Sequence, residues 1–246
     1  MTADELLSVF DDAAKAVRTA LEPLTGAARR ARTERPGQYA LDLVADAAVL
    51  PILHDADVAV LSEESGRSGR DDAAITVVLD PVDGSTNCSR EIPYWSISLC
   101  AVDADGPLCA LVTNQATGVR TTAVRGAGAW RDGEGVTPSA VQQVGEAVVC
   151  FSGTPQQRLP WKQFRSLGSA ALELCDVASG ALDAYLTSWQ APWDYLGGVL
   201  VCREAGAVVV DAHGGELVVT ETDARRQLLA AATPELLDAV RPALPS

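Results

Sequence analysis

Apolar residues recur at helical spacing over residues 4–22, where Leu6, Leu7, Phe10, Ala13, Ala14, Val17 and Leu21 fall together and Pro23 and Gly26 close the stretch. A second helix is predicted from about Asp42 to His54, with Pro51 kinking it or shifting its start. Val58–Leu61 and Ile75–Leu79 are short apolar runs that read as buried strands. The first runs into the acidic turn Ser62-Glu63-Glu64-Ser65-Gly66, the second into Asp80-Pro81. Tyr94–Val102, Leu108–Thr113, Val119–Val124 and Ala129–Trp130 then form a meander of strands joined by Gly- and Asp-rich turns.

The pattern changes in the second half. Strands are predicted at Val148–Phe151, Ala184–Thr187, Val208–Val210 and Leu228–Ala231, and helices at Ser169–Gly180, Trp193–Glu204 and Pro234–Val240. Thr233 and Pro234 suit the N-cap and first position of the last helix. An antiparallel meander-rich first half and an alternating α/β second half predict a mixed α+β / α/β fold in two subdomains, residues 1–142 and 143–246. Each would be a sheet covered by helices, with ligands in the crevice between them.

Composition narrows the function. Of 246 residues, 48% are hydrophobic and 21% charged, as in an ordinary globular protein, and only Arg241–Ser246 reads as a disordered tail. Lys and Arg total 19 against 33 Asp and Glu, a net charge of −14, which argues against direct binding to nucleic acid or to anionic membranes. The basic cluster Arg29, Arg30, Arg32 and Arg35 is either a solvated helix end or a rim that attracts an anionic substrate. The start lacks the pattern of a signal peptide, and no apolar run approaches the roughly 18 residues of a membrane-spanning helix. Six scattered cysteines with no C-x-x-C pair behave as small hydrophobes, and the reducing cytoplasm is the expected compartment.

The chemistry concentrates at strand ends. A five-residue apolar strand ends in Asp80-Pro81-Val82-Asp83-Gly84-Ser85-Thr86-Asn87, with Glu63 after the preceding strand and Asp194 at a later helix start. Proline is expected to halt the ladder and stiffen the turn, so that Asp80 and Asp83 project close together. Two like charges at that range are costly unless a cation lies between them, and hard oxygen ligands select Mg²⁺, Mn²⁺ or Ca²⁺. Gly84-Ser85-Thr86 offers N–H groups and hydroxyls to a phosphate. Metal ligands beside an anion cradle suggest metal-assisted phosphoryl hydrolysis.

These segments resemble the inositol monophosphatase-like phosphatases. That family carries a Glu-Glu turn, then D-P-[hydrophobic]-D-G-[ST]-[ST]-N, then W-D and an E-A-G-G-like stretch, in the order found here at Glu63-Glu64, Asp80–Asn87, Trp193-Asp194 and Glu204-Ala205-Gly206-Ala207. The resemblance implies a layered αβαβα sandwich of the sugar phosphatase type and two, with a weakly held third, Mg²⁺ ions. Glu63, Asp80 and the Val82 carbonyl would hold one ion; Asp80, Asp83 and Asp194 a second; Glu63 would also help the third. Water would be activated by Asp46 and Ser85, so no phosphoenzyme is needed. Asp83, Gly84, Ser85 and the turn Gly168-Ser169-Ala170 would face the substrate, and Thr187 stands where inositol-selective members often place an acid. The implied activity is phosphomonoester hydrolysis on a small polyol or sugar phosphate, inositol 1-phosphate first, by a homodimer. Histidinol phosphate, fructose 1,6-bisphosphate and 3′-phosphoadenosine phosphates are alternatives, as is a regulatory binding protein of the same fold.

Other features imply less. Ser152–Arg165, with Pro155 and Pro160, is too short for the helix family members usually have there, which bears on the usual dimer packing. Arg125–Trp130 is a hairpin turn rather than a nucleotide loop, and the D-x-x-D spacing does not suit an aspartate-nucleophile phosphatase. Trp161 and Trp189 are packing residues first and crevice residues second, and His213 belongs to a turn.

Overall fold

The computed structural model describes residues 1–70 and 72–245. Helix α1 (Ala3–Leu21) begins with Thr2 and Glu5 capping each other's backbone N–H groups, and turns Leu6, Phe10, Ala13, Ala14, Val17 and Leu21 inward. A single turn, α2 (Gly26–Arg29), leads to α3 (Ala40–Asp55), which carries Pro51 within its length.

The first sheet holds β1 (Ala59–Ser62), β2 (Gly66–Gly69), β3 (Thr76–Asp83), β4 (Ser96–Asp103), β5 (Gly106–Asn114), β6 (Arg120–Val124), β7 (Gly128–Arg131) and β8 (Glu134–Gly135), in the order β2-β1-β3-β4-β5-β6-β7-β8. β1 runs parallel to β3, and every other pair is antiparallel. The predicted acidic turn is thus the bend of a hairpin whose second strand, β2, has no apolar pattern to announce it. A short helix, α4 (Ser85–Ser89), leaves the end of β3.

The second sheet has β9 (Val148–Ser152), β10 (Gln163–Arg165), β11 (Ala184–Gln190), β12 (Val208–Asp211) and β13 (Arg226–Ala231), in the order β10-β9-β11-β13-β12. Helices α5 (Ala170–Ala178), α6 (Pro192–Ala205) and α7 (Pro234–Val240) alternate with it. The stretch between β9 and β10 contains no helix.

Three clusters of buried side chains show the layering. One joins α1 and α3 to the outer side of the first sheet, through Phe10, Leu41, Val49, Val77, Leu79 and Leu111. The largest lies between the sheets, where Leu174, Tyr195, Leu196 and Val199 of α5 and α6 meet Val78, Val112, Cys150 and Leu228. The third packs α7 on the second sheet through Phe151, Leu186, Leu236 and Val240. The architecture is therefore αβαβα, with α6 apolar on nearly every side because it lies between layers. Arg241–Ala243 forms a 3-10 turn with Ala243 buried, and Pro245 bridges to Pro155, so these tail residues are packed rather than disordered; Ser246 lies outside the described residues.

Candidate metal centre

Strand β3 does not stop at Pro81. It continues to Asp83 with a bulge between Asp80, opposite Ser98, and Asp83, opposite Ser96. Proline has no N–H for the ladder, and the extra residue it occupies bends the strand and re-aims both carboxylates. Asp80 is 2% exposed, and its Oδ1 accepts from the Val82 N–H at 2.9 Å. Parallel β1 ends alongside: the Glu63 N–H donates to Leu79 O at 3.1 Å, which sets Glu63 next to Asp80. Asp194 arrives from the other half of the chain in the first turn of α6, where its Oδ2 accepts from the Ala191 N–H at 2.7 Å.

Glu63, Asp80 and Asp194 each present an oxygen, and these oxygens lie within 4.8 Å of one another. Burial first, then Glu63, Asp83 and Asp194, raises the Asp80 carboxyl well above the carboxylate range. Burial and then Asp194 push Glu63 up to about 8. Burial lifts Asp194 to about 7 against the hydrogen bond from Ala191. Carboxylates so placed resist ionisation together, and a hard divalent cation removes the conflict. The donor set therefore fits a hard divalent cation such as magnesium.

Asp83 is turned differently. Its Oδ2 accepts from Ser169 Oγ (2.5 Å), the Ala171 N–H (2.9 Å) and Ser96 Oγ (3.3 Å), and its Oδ1 from the Ala170 N–H (3.1 Å). It joins the end of β3 to the first turn of α5 and lies outside the trio of approaching oxygens, although its charge still acts on Asp80 and Asp194. Gly84 (φ +90°) and Gly168 (φ +87°) let the two turns meet, since a Cβ on Gly84 would stand 2.7 Å from Gly168 O. Asn87 Nδ2 ties the turns by donating to Tyr94 O and Leu167 O, each at 2.7 Å. Buried Glu173 holds the same turn through the N–H groups of Leu167 (2.8 Å) and Gly168 (3.0 Å). Ser85, half-buried, opens α4 beside this junction.

Two expected residues are engaged in hydrogen bonds within the fold. Asp46 is buried, and its Oδ1 accepts from Ser62 Oγ. Thr187 is 0% exposed, and its Oγ1 accepts from the Leu228 N–H at 2.7 Å, so the hydroxyl serves the β11–β13 pair rather than a crevice. Bulge-shifted Thr187 fills a gap in the ladder that spacing alone does not reveal.

A further candidate carries no sequence motif of its own. Asp42, one helical turn before Asp46, is 4% exposed, and its Oδ2 accepts from the Tyr39 N–H at 2.8 Å. Its Oδ1 is buried with no hydrogen-bond partner among the described residues. Burial pushes it up to about 7, and its charge in turn acts on Glu63. The i, i+4 pair of acids in the otherwise apolar stretch 40–53 of α3 is the signal that points to it.

A sequence model described as the inositol monophosphatase family matches residues 7–244. The chain is 35% identical over 206 residues to a fructose-1,6-bisphosphatase/inositol-1-monophosphatase of Archaeoglobus fulgidus, covering 80% of this chain and 79% of the relative. It is 31% identical over 225 residues to the Nus factor SuhB of Pasteurella multocida, covering 83% and 82%. Among solved structures, a Pyrococcus horikoshii protein described as having similarities to inositol-1 monophosphatase superimposes over 100% of both chains, with a TM-score of 0.89 and 26% identity.

Proposed function

The chain belongs to the inositol monophosphatase family, and on that premise we propose that it is a Mg²⁺-dependent phosphomonoesterase acting on a small polyol or sugar phosphate, with inositol 1-phosphate as first choice. The observation that carries this reading is the convergence of Glu63, Asp80 and Asp194, drawn from both halves of the chain, to within 4.8 Å. Glu63, Asp80 and the Val82 carbonyl would hold one ion; Asp80, Asp83 and Asp194 would hold a second, with Glu63 assisting a third. Bound Mg²⁺ supplies charge neutralisation at the phosphate and acidifies water.

The chain's own groups do the rest. Gly84 and Ser85 present N–H groups to the phosphate, and the Gly168-Ser169-Ala170 turn, locked to Asp83, walls the substrate side. The proton of the attacking water goes to Asp42 Oδ1, without a partner among the described residues and on a carboxyl whose charge acts on Glu63, with Ser85 orienting the water. Asp46 supports this arrangement by fixing Ser62, the residue before Glu63.

Fructose 1,6-bisphosphate is the next substrate to test, since the Archaeoglobus relative carries that activity in its name; histidinol phosphate and 3′-phosphoadenosine phosphates follow. The Nus factor relatives favour a second reading, a regulatory binding protein of the same fold. Among the described residues no helix is long and apolar enough to cross a membrane, and all six cysteines are free and buried, which suits a cytoplasmic protein. A homodimer remains part of the proposal. A phosphate-ester panel with Mg²⁺ and with EDTA separates the readings. Turnover that EDTA abolishes is expected; no turnover, together with specific capture of a macromolecular partner, would transfer the proposal to the regulatory reading.

A further inference from the structure

The arginines clustered at 29–35 separate in the fold. Arg29 is spent on backbone: Nε donates to Cys88 O (2.7 Å), and Nη1 to Leu24 O (3.1 Å) and Leu21 O (3.3 Å). Arg35 faces Glu64 at 3.6 Å. Arg30 and Arg32 instead join Arg90, which follows α4, around one cavity of about 170 Å³ completed by Tyr39 and Ser89. Among the described residues none of these three arginines has a carboxylate partner, in a chain of net charge −14. Three guanidinium groups that share a cavity repel one another unless an anion joins them.

The cavity is also built rather than merely exposed. An isolated bridge between Arg32 and Tyr39 closes the hairpin that carries them. Arg32 lies over the Tyr39 ring at 3.6 Å and donates to Gly37 O (2.9 Å) and Tyr39 Oη (2.7 Å). Tyr39 is 4% exposed, and its hydroxyl reaches Thr86 Oγ1 at 3.4 Å. Buried Ser89 is held by Thr86 O at 2.9 Å. Hydrogen bonds with Ser89 and Thr86, then the charges of Arg32 and Arg90, bring the Tyr39 hydroxyl below its usual range.

We infer that this cavity is a second anion site, in which the guanidinium groups of Arg30, Arg32 and Arg90, set around Tyr39 and Ser89, take a phosphate-class dianion. Guanidinium forks match tetrahedral oxyanions, and the volume falls short of what a drug-sized ligand fills, so it suits one phosphate group rather than a nucleotide. Ser85 and Ser89 lie at the two ends of α4, about 6 Å apart along the helix. On the reading that Gly84 and Ser85 receive the scissile phosphate, the second anion is either the other phosphate of a bisphosphorylated sugar or free phosphate acting on the enzyme.

The test begins with the whole chain in EDTA, where the acidic centre without cation rejects phosphate. Inorganic phosphate is titrated calorimetrically at low ionic strength into wild type and into the Arg30→Ala/Arg90→Ala variant, both changes lying at exposed positions. One saturable site in wild type, weakened about tenfold or more in the variant, is expected. No saturable binding in wild type, or equal affinity in a folded variant, overturns the site. With Mg²⁺, the kcat/KM ratio of fructose 1,6-bisphosphate to inositol 1-phosphate then identifies the source. A fall of about tenfold in that ratio in the variant supports a substrate phosphate. An unchanged ratio, with turnover of inositol 1-phosphate responding to added sulfate in wild type and less in the variant, supports a free anion. If wild type binds phosphate in EDTA yet hydrolyses neither ester, the phosphatase reading fails while the site stands.

Discussion

Asp42 and Asp46 lie one turn apart on α3, both buried, and differ in what their oxygens already do. Each has one oxygen engaged, Asp46 Oδ1 by the Ser62 hydroxyl and Asp42 Oδ2 by the Tyr39 N–H, and Asp42 Oδ1 is the buried oxygen left without a partner among the described residues. Asp42→Asn should therefore lower kcat by about 10²- to 10⁴-fold while Mg²⁺ affinity by calorimetry stays near wild type. Asp46→Asn should act more weakly on kcat and chiefly lower thermal stability; the opposite order would return the base role to Asp46. Counting back from the Glu-Glu turn points to Asp46, and a sequence does not show that Asp42 carries a buried oxygen without a partner among the described residues. Thr187 illustrates the same limit, since its hydroxyl is used within the sheet. Glu63, Asp80 and Asp194 were legible, because each stands where a strand ends or a helix starts.

The same carboxylates set a pH dependence. Without metal, the folded chain keeps protons on Glu63 (pushed up to about 8), Asp42 and Asp194 (each to about 7), whose ordinary values are 4.5, 3.8 and 3.8. As pH rises through the ordinary carboxylate range, the unfolded chain releases these protons while the folded chain retains them, so unfolding gains. Through these three groups, stability in EDTA should fall from about pH 3.8 to about pH 8. Tm measured by calorimetry in EDTA should follow that slope, and Mg²⁺ should raise Tm most at the alkaline end. A Tm in EDTA that climbs over this window would mean the acids are not held together as described.

At the scale of elements, the site depends on two turns that meet. The strand pattern foretold β3 but not its bulge, because Pro81 reads as a stop when local rules alone are applied. Partnered on both sides by β1 and β4, the strand resumes at Asp83 with its register shifted. β2 and α4 escaped notice because Gly66-Arg67-Ser68-Gly69 and Ser85–Ser89 lack an apolar period; tertiary pairing makes them. Gly84 is the contact point: a side chain there meets Gly168 O at 2.7 Å in a backbone conformation with φ +90°. Gly84→Ala should destabilise by about 1–3 kcal/mol in urea unfolding and should reduce turnover as well, since relieving the clash parts Asp83 from α5. Full activity with unchanged stability would show that the turns do not need to touch.

For the whole molecule, the first sheet ends at Gly135 and the second begins at Val148, yet the two sheets share their largest core around α5 and α6. That shared layer explains why a site assembled from both halves can be rigid: Asp194 enters on α6, packed against β3, β4 and β5, and the Gly168-Ser169-Ala170 turn on α5, packed against β4, β5 and α6. The layering was inferable from the change of pattern along the chain together with the family resemblance, whereas the rotation that turns Asp83 toward α5 was not. On the proposed function, Asp80, buried close to Glu63 and Asp194, anchors a metal centre on which phosphate-ester hydrolysis depends. This role is tested most directly by comparing wild type with Asp80→Asn in Mg²⁺ titration calorimetry and in phosphate release from inositol 1-phosphate and fructose 1,6-bisphosphate. Weakened Mg²⁺ binding with turnover reduced by at least about 10²-fold is the predicted result; an Asp80→Asn protein that binds Mg²⁺ and releases phosphate like wild type would contradict it.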